Sequence, residues 1–433
     1  MAKILRTHAR EILDSRGNPT LEVEVALEDG STGVSLVPAG ASTGTHEAAE
    51  LRDGELDRYG GRGVTKAVKS VEWEIPQVLV GLDASDQTLV DDTLINFDRT
   101  PDKRRLGANA VLGVSMAVAR AAANSARLPL YRYLGGAAAD ELPVPLVNIM
   151  SGGIHGGGNI DFQDFMVIPL RATSYSAALA DVNAVYRAAR EVLKERGVYR
   201  AGVADEGGYA PALESNESGF DIMVRAIERA GLEPGRDAAI AVDVAASHFY
   251  ERGKYRLQVS DEALDADDLI ERLANCVDRY PVISIEDGLD EEDWEGWKKL
   301  TDRLGNRCQL IGDDLFVTHP DRLGRGIAEG VANAVLVKIN QIGTVTETLD
   351  VVSLARRNGY QPVISARSGE TEDSFIADLA VATGASLIKV GAITRSERLA
   401  KYNRLIRIEE ELGPHAAYRG AEVFDGFLEA KAG

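Results

Sequence analysis

Three short apolar runs end on a carboxylate: AIAVDVAAS at Asp243, PVISIEDG at Glu286 and QLIGDDLF at Asp313. A single strand-end acid more often caps the helix that follows it than binds a ligand. Three in one barrel reverse that balance, because carboxylates converging on one mouth repel each other unless a cation lies between them. Magnesium fits best: it prefers oxygen ligands, and the sequence has no Cys or His cluster of the kind zinc takes. Two further runs, AVLVKINQ and SLIKVGA, end on Lys338 and Lys389. Two cations beside a metal are expected to depress each other's pKa. A lysine made neutral is a general base for a weakly acidic C–H next to a carboxylate. Simple neutralisation of the acids is an equally good reading of Lys389 and a weaker one of Lys338. In PVISARSG, Arg367 and Ser368 offer a planar fork and a hydroxyl at a helix start, which together grip phosphate. Ser368 alternatively only caps the acidic helix after it.

The elements that carry these residues repeat. Glu286, Asp313, Lys338, Ser365 and Lys389 are spaced by 27, 25, 27 and 24 residues, about one strand plus its covering helix. That regularity, with little residue identity between units, predicts buried parallel strands in a βα barrel whose chemistry sits at the strand ends. Two Gly-rich stretches, residues 39–44 (AGASTG) and 151–158 (SGGIHGGG, with His155), have the composition of lids that exclude water. Either alone is equally an inert turn. Neither has the Lys-Ser/Thr pair of a Walker A loop or the strand context of a dinucleotide fingerprint. Ahead of the barrel, Leu21 to Leu27 alternates apolar and acidic residues, and Asp29-Gly30 supplies a hairpin turn before Thr32 to Val37, so an antiparallel edge is expected there. From Val64 to about Arg127 the period is helical. Strands followed by helices describe a compact α+β domain over residues 1–134 with a loop at 38–46. The small, Pro-bounded segment Gly135 to Pro145 reads as a linker, and residues 143–433 as the barrel domain.

Bulk properties exclude several functions. A chain of 433 residues is too long for one ordinary core. Acids outnumber basic residues 68 to 48, for a net charge of -20. The average surface therefore repels nucleic acid and anionic lipid, and an anionic substrate needs concentrated cations or a metal. The first residues show no apolar segment with a cleavage site, which places the expected protein in the cytoplasm. The Ala-rich stretch Ala110 to Ala126 is broken by Arg120 and too short for a bilayer, so a buried helix is expected. Cys276 and Cys308 read as free thiols in a reducing compartment.

The motifs LDSRGNPTLEVEV, GASTGTHEA, DEGGYAP, SIEDGLDEEDWEGW, GDDLFVT, KINQIGTVTET, RSGETED and RSERLAKYN, in order from Leu13 to Asn403, resemble enolase, the phosphopyruvate hydratase. The resemblance implies an α/β protein in which an N-terminal α+β domain packs on an enolase-type (β/α)8 barrel of slightly irregular strand order, assembled as a homodimer or an octamer of dimers. It implies two magnesium ions, the first held by Asp243, Glu286 and Asp313 and the second seated with the phosphate of a small anionic substrate by Ser42. Lys338 resembles the base that removes the C2 proton of 2-phosphoglycerate, and Glu206 the acid that helps the C3 hydroxyl leave. Lys389 corresponds to the group that holds the substrate carboxylate, Arg367 and Ser368 to those on the phosphate, and His155 and Gln163 to pocket-lining residues.

Five positions depart from the family pattern. Ala366 replaces histidine in SARSGETED, and Asp164 in FQDFM replaces a glutamate of the catalytic acid network. Ala39 replaces a lid serine, His248 a glutamate after DVAAS, and Val390 the threonine after Lys389. A shorter carboxylate misplaced by about 1 Å costs on the order of 100-fold in rate. Because the metal trio, Lys338, Glu206, Lys389 and Arg367 are all retained, the favoured expectation is kept enol chemistry on an altered group. A diverged relative of this kind is carboxyphosphonoenolpyruvate synthase, an enolase-like enzyme of phosphonate biosynthesis whose bulkier anion needs room beside Arg367. The alternative is an ordinary glycolytic enolase making phosphoenolpyruvate. A third reading, a non-catalytic surface protein that binds plasminogen, ranks below both, since FLEAKAG lacks the closing lysines associated with that role.

Overall fold

Alternation over LEVEVAL builds the middle strand of a three-stranded antiparallel sheet, not its edge. β1 (Ile4–Leu13), β2 (Pro19–Leu27) and β3 (Thr32–Leu36) lie in that order in the computed structural model, which describes residues 2–40 and 44–432. β1 carries little apolar signal. Its buried hydrophobics are Ile4 and Ala9, while Arg6 and Arg10 pair across the exposed face with Glu24 and Glu22. Behind the sheet lies α1 (Ala108–Ala126), an almost wholly buried helix. Its small side chains permit a very close approach: a Cβ on Gly33 of β3 would stand 2.1 Å from the Ala117 carbonyl oxygen.

The link between the domains is shorter than Gly135 to Pro145. Glu141–Leu142 already pairs in parallel with Ala417–Tyr418, and Val144 opens the first barrel strand. The barrel comprises β4 (Val144–Ser151), β5 (Asp164–Pro169), β6 (Ala238–Asp243), β7 (Val282–Glu286), β8 (Gln309–Gly312), β9 (Ala334–Val337), β10 (Gln361–Ser365) and β11 (Leu387–Gly391). It closes with β11 beside β4. The six runs read as parallel strands from the sequence are β6 to β11, and they pair in parallel. β5 departs from that expectation and runs antiparallel to both neighbours. Its link to β4 contains no helix, and a parallel return needs a crossover, usually helical.

Alternate residues of these strands fill the barrel, among them Leu146, Met166, Ala241, Ile283, Ile311, Leu336, Val363 and Leu387, with Val423 and Phe424 packed against them. That core leaves the strand ends as the polar face. The N-terminal domain is held on the barrel by polar ties. Arg120 of α1 makes two bonds to Asp373, each 2.6 Å, and the Asp91 carboxylate accepts the Thr346 N–H and hydroxyl at 2.9 and 2.7 Å. Among the described residues no helix is long and apolar enough to cross a membrane.

Candidate active site

Strand register lines up the carboxylates. Asp243 is level with Asp164 on β5 and with Glu286 on β7. Lys389, level with Ser365 on β10, donates to Asp243 Oδ2 at 2.9 Å and Glu286 Oε2 at 2.6 Å. Lys338 donates to Asp313 Oδ2, and the other Asp313 oxygen takes the Gln341 amide at 2.9 Å. With no ion between the carboxylates, the lysines lie against them. Burial favours the uncharged amines, but Asp313 outweighs it for Lys338, and Asp243 with Glu286 outweighs it for Lys389. Both are held above the ordinary lysine value. Direct carboxylate contact prevails over repulsion between the two ammonium groups.

One of these carboxylates has an oxygen open to a cation. Glu286 Oε1 is buried and has no hydrogen-bond partner, and burial together with the neighbouring Asp243 pushes its carboxyl well above the usual range. An unpartnered buried carboxylate oxygen is a hard donor of the kind magnesium takes, although Asp243, Glu286 and Asp313 are not among the described groups whose ligand atoms lie within 4.8 Å of one another. The ligand atoms that do approach within 4.8 Å of one another are those of Asp287, Asp313 and Asp314 and those of His155, Asp164 and Glu206. Asp287, however, commits its two oxygens to the backbone N–H groups of Asp313 and Asp314, each at 2.9 Å, and so fixes the end of β8. Burial, then Asp313, pushes the Asp314 carboxyl up to about 7. Ser42, expected to seat a second ion, lies outside the described residues.

On the opposite side, Arg367 Nη1 donates to Glu47 Oε2 at 2.8 Å and Asn340 Oδ1 at 3.0 Å, and Nη2 to Glu47 Oε1 at 3.1 Å. The fully buried Arg398 binds the carbonyls of Arg367 and Ser368 at 2.5 and 2.7 Å, which fixes the backbone of both. The loop from the N-terminal domain is anchored on the same segment. Ala39 and Gly369 exchange backbone hydrogen bonds of 2.8 and 3.0 Å, and a Cβ on Gly369 would stand 2.4 Å from the Ala39 oxygen.

The acid network is drawn back from the mouth. Asp164 accepts from Asn148 at 2.5 Å and Ser151 at 2.8 Å, and its other oxygen lies 3.2 Å from His155 Nδ1. Burial favours the neutral imidazole, but Asp164 outweighs it, so His155 is held above its usual value. Burial also raises Asp164 itself. Glu206 is pushed up by burial but pulled down further by Arg398, His155 and Lys389, so it sits below the usual range. Gln163 donates to Asp243 Oδ2 at 3.1 Å.

A small cavity of about 20 Å³ opens among these groups. Of the described residues expected at the site, Lys338, Glu206, His155, Gln163, Arg367, Ser368, Lys389, Asp243 and Asp313 line it, and Asp164 and Glu286 do not. Glu286 lies behind Lys389. Asp164 touches the cavity-lining His155. Ala366 and His248, two of the departures from the family pattern, also line the wall. Glu47, Gln341 and Arg398 were not expected, although they fall within GASTGTHEA, KINQIGTVTET and RSERLAKYN. Their acidic, amide and basic types were visible, whereas their partners are distant in the chain.

Two family models match the chain. The one described as the enolase N-terminal domain covers residues 4–134, and the one described as the enolase C-terminal TIM barrel domain covers residues 139–426.

Proposed function

The chain belongs to the enolase family, and we propose that it removes the C2 proton of 2-phosphoglycerate or a close analogue to give an enolpyruvate phosphate or phosphonate. The observation that carries this reading is one cavity bounded by Lys338, by Asp243 and Asp313, and by Arg367 with Ser368. A base, a cation-binding set and an anion grip surround the same space.

In this reading Lys338 takes the proton, once Asp313 no longer holds its ammonium. Lys389 binds the substrate carboxylate, and Arg367 and Ser368 bind the phosphate, so the carbon acid is oriented before any proton moves. Asp243, Glu286 and Asp313 would hold magnesium, which when bound would supply fixed positive charge against the second negative charge that proton loss puts on the carboxylate. Glu206 faces the leaving hydroxyl and must first take up a proton, since the free pocket favours its ionised form. His155 and Gln163 bound the remaining wall. Seating of a second ion by Ser42, assembly as a homodimer or octamer, and a cytoplasmic setting are carried over from the family resemblance.

The favoured form is a diverged enzyme resembling carboxyphosphonoenolpyruvate synthase, acting in phosphonate biosynthesis. Its support is that Asp164 is tied to Asn148, Ser151 and His155 away from the cavity, while Ala366 leaves its wall short beside Arg367. An ordinary glycolytic enolase is favoured instead by the cavity-lining Lys338, Glu206, Lys389 and Arg367. The deciding assay follows enol absorbance with purified protein, magnesium and 2-phosphoglycerate. Weak turnover that Ala366→His with Asp164→Glu restores is expected. Turnover at an ordinary enolase rate in the unaltered protein would overturn the diverged form.

A further inference from the structure

One turn of chain after β9 touches both halves of the site. Lys338 opens it, and the short helix Ile339–Ile342 places Asn340 Oδ1 3.0 Å from Arg367 Nη1 and carries Gln341, which is only 1 % exposed. The turn is fixed at both ends. The Gln341 N–H bonds the Lys338 carbonyl at 2.9 Å, Gly343 closes the helix at a φ of 103°, and the Gln341 carbonyl takes the Ala48 N–H of the N-terminal domain at 2.8 Å.

The hydrogen bonds around the Gln341 amide fix which way it points. Thr318 Oγ1 accepts the Lys338 N–H at 2.9 Å, so its own hydrogen must go to an acceptor, and the nearest is Gln341 Oε1 at 2.6 Å, against 3.4 Å for the Leu336 carbonyl. The amide nitrogen then faces two carboxylates, Asp313 Oδ1 at 2.9 Å and Glu47 Oε1 at 3.3 Å. An ionised carboxylate only accepts, so a reversed amide would set its oxygen against two others.

These two carboxylates serve different halves of the site. Asp313 belongs to the set proposed to hold magnesium, whereas Glu47 clamps the guanidinium proposed to grip phosphate. Asp313 has one oxygen on Lys338 and the other on Gln341. When Lys338 leaves Asp313, as removal of the C2 proton requires, the bond from Gln341 still holds the carboxylate. A group that orients a metal-binding side chain from behind typically sets metal affinity by about 10–100-fold.

We propose that Gln341 is a positioning residue that holds Asp313 and Glu47 in register, so that one amide, oriented by the Thr318 hydroxyl, sets both the cation affinity and the anion affinity of the site. The assignment rests on the reading of Asp313 as a cation ligand and Arg367 as the phosphate grip. It goes beyond that reading by tying the two to a single side chain that does not itself line the cavity.

In the test, magnesium alone and inorganic phosphate alone are titrated by calorimetry into the unaltered protein and into Gln341→Met, which keeps the side-chain length without a donor. The substitution is expected to weaken magnesium by about tenfold or more and phosphate by about fivefold. A side chain that merely supported the fold would lower the melting temperature and leave both affinities of the folded protein in place. Folded Gln341→Met that binds either probe as well as the unaltered protein does overturns the assignment. Thr318 supplies a second pair, whether or not Gln341→Met folds. Thr318→Val keeps the shape without the hydroxyl and should weaken both probes, while Thr318→Ser keeps the hydroxyl and should bind both nearly as the unaltered protein does. Valine that spares either probe, or serine as poor as valine, overturns the assignment too. The underlying reading fails separately: if Asp313→Asn leaves magnesium affinity unchanged, or Arg367→Ala leaves phosphate affinity unchanged, that ligand is misplaced, whatever Gln341 does.

Discussion

Glu47 and Arg367 form a buried, two-bond ion pair across the domain boundary, 320 residues apart in the chain. Burial disfavours the Arg367 charge, but Glu47 more than offsets it, and the guanidinium stays a cation. Removing one partner of such a pair leaves an uncompensated buried charge, at a cost of about 3–5 kcal/mol. Glu47 also accepts the Gly44 N–H at 3.0 Å, and the Ala48 N–H reaches the Gln341 carbonyl at 2.8 Å. The guanidinium proposed to grip the anion is therefore held by both domains at once, so a change in the N-terminal domain is expected to reach it.

The second tie between the domains predicts a pH dependence of stability. Burial alone would raise the Asp373 carboxyl, but Arg120 and the N–H groups of Leu36 and Phe375 outweigh it and hold it below the usual range. A carboxyl with a depressed folded-state pKa contributes stability that is complete above its unfolded value, about 3.9, and is lost as pH falls through the lower folded value. Thermal melts of the unaltered protein and Asp373→Asn should differ most above about pH 5 and converge as the pH drops below about 4. A gap that stays constant down to pH 3 would mean that the pair contributes nothing through charge.

Magnesium should stabilise the folded chain through Glu286. A ligand that binds only the native state adds about 2.7 kcal/mol at 100 times its dissociation constant. The melting temperature is expected to rise on adding magnesium and fall again on chelation. Glu286→Gln keeps the side-chain volume but removes one anionic donor and relieves repulsion with Asp243, so its metal-free form should be no less stable and its magnesium shift much smaller. An undiminished shift would exclude Glu286 from the ligand set.

How much of this was legible in the sequence follows from the physics of each element. β6 to β11 are buried on both faces, so their apolar runs and charged ends stood out. β1 was hidden because its exposed arginines pair across to β2, and β5 because its reversal depends on the helix-free link from β4. Lys338 and Lys389 were placed correctly at strand ends, but their carboxylate partners were not foreseen. Residue order shows that two cations lie near each other, yet only coordinates show that each also touches a carboxylate. The retreat of Asp164 was likewise unreadable, since Asn148 and Ser151 become its partners only when β4 and β5 lie side by side.

Gly44 offers the sharpest test of the coupling through Glu47. A Cβ there would stand 2.6 Å from Val317 Cγ1 and 3.3 Å from oxygens of Asp314 and Glu291, so even alanine cannot fit without movement. Val317 is fully buried and itself held at a left-handed φ of 43°, an uncomfortable state for a β-branched residue, and the neighbouring Thr318 accepts the Lys338 N–H at 2.9 Å. The barrel side is thus poorly placed to yield, and the displacement should fall on the segment that carries Glu47. Gly44→Ala is expected to weaken inorganic phosphate binding by about tenfold, as Glu47 is drawn off Arg367, with a loss of global stability near 1 kcal/mol. Val317→Ala added to it removes the clashing methyl and should recover most of the affinity. A double variant that binds no better than Gly44→Ala would mean that the loop and Arg367 are not joined through this contact.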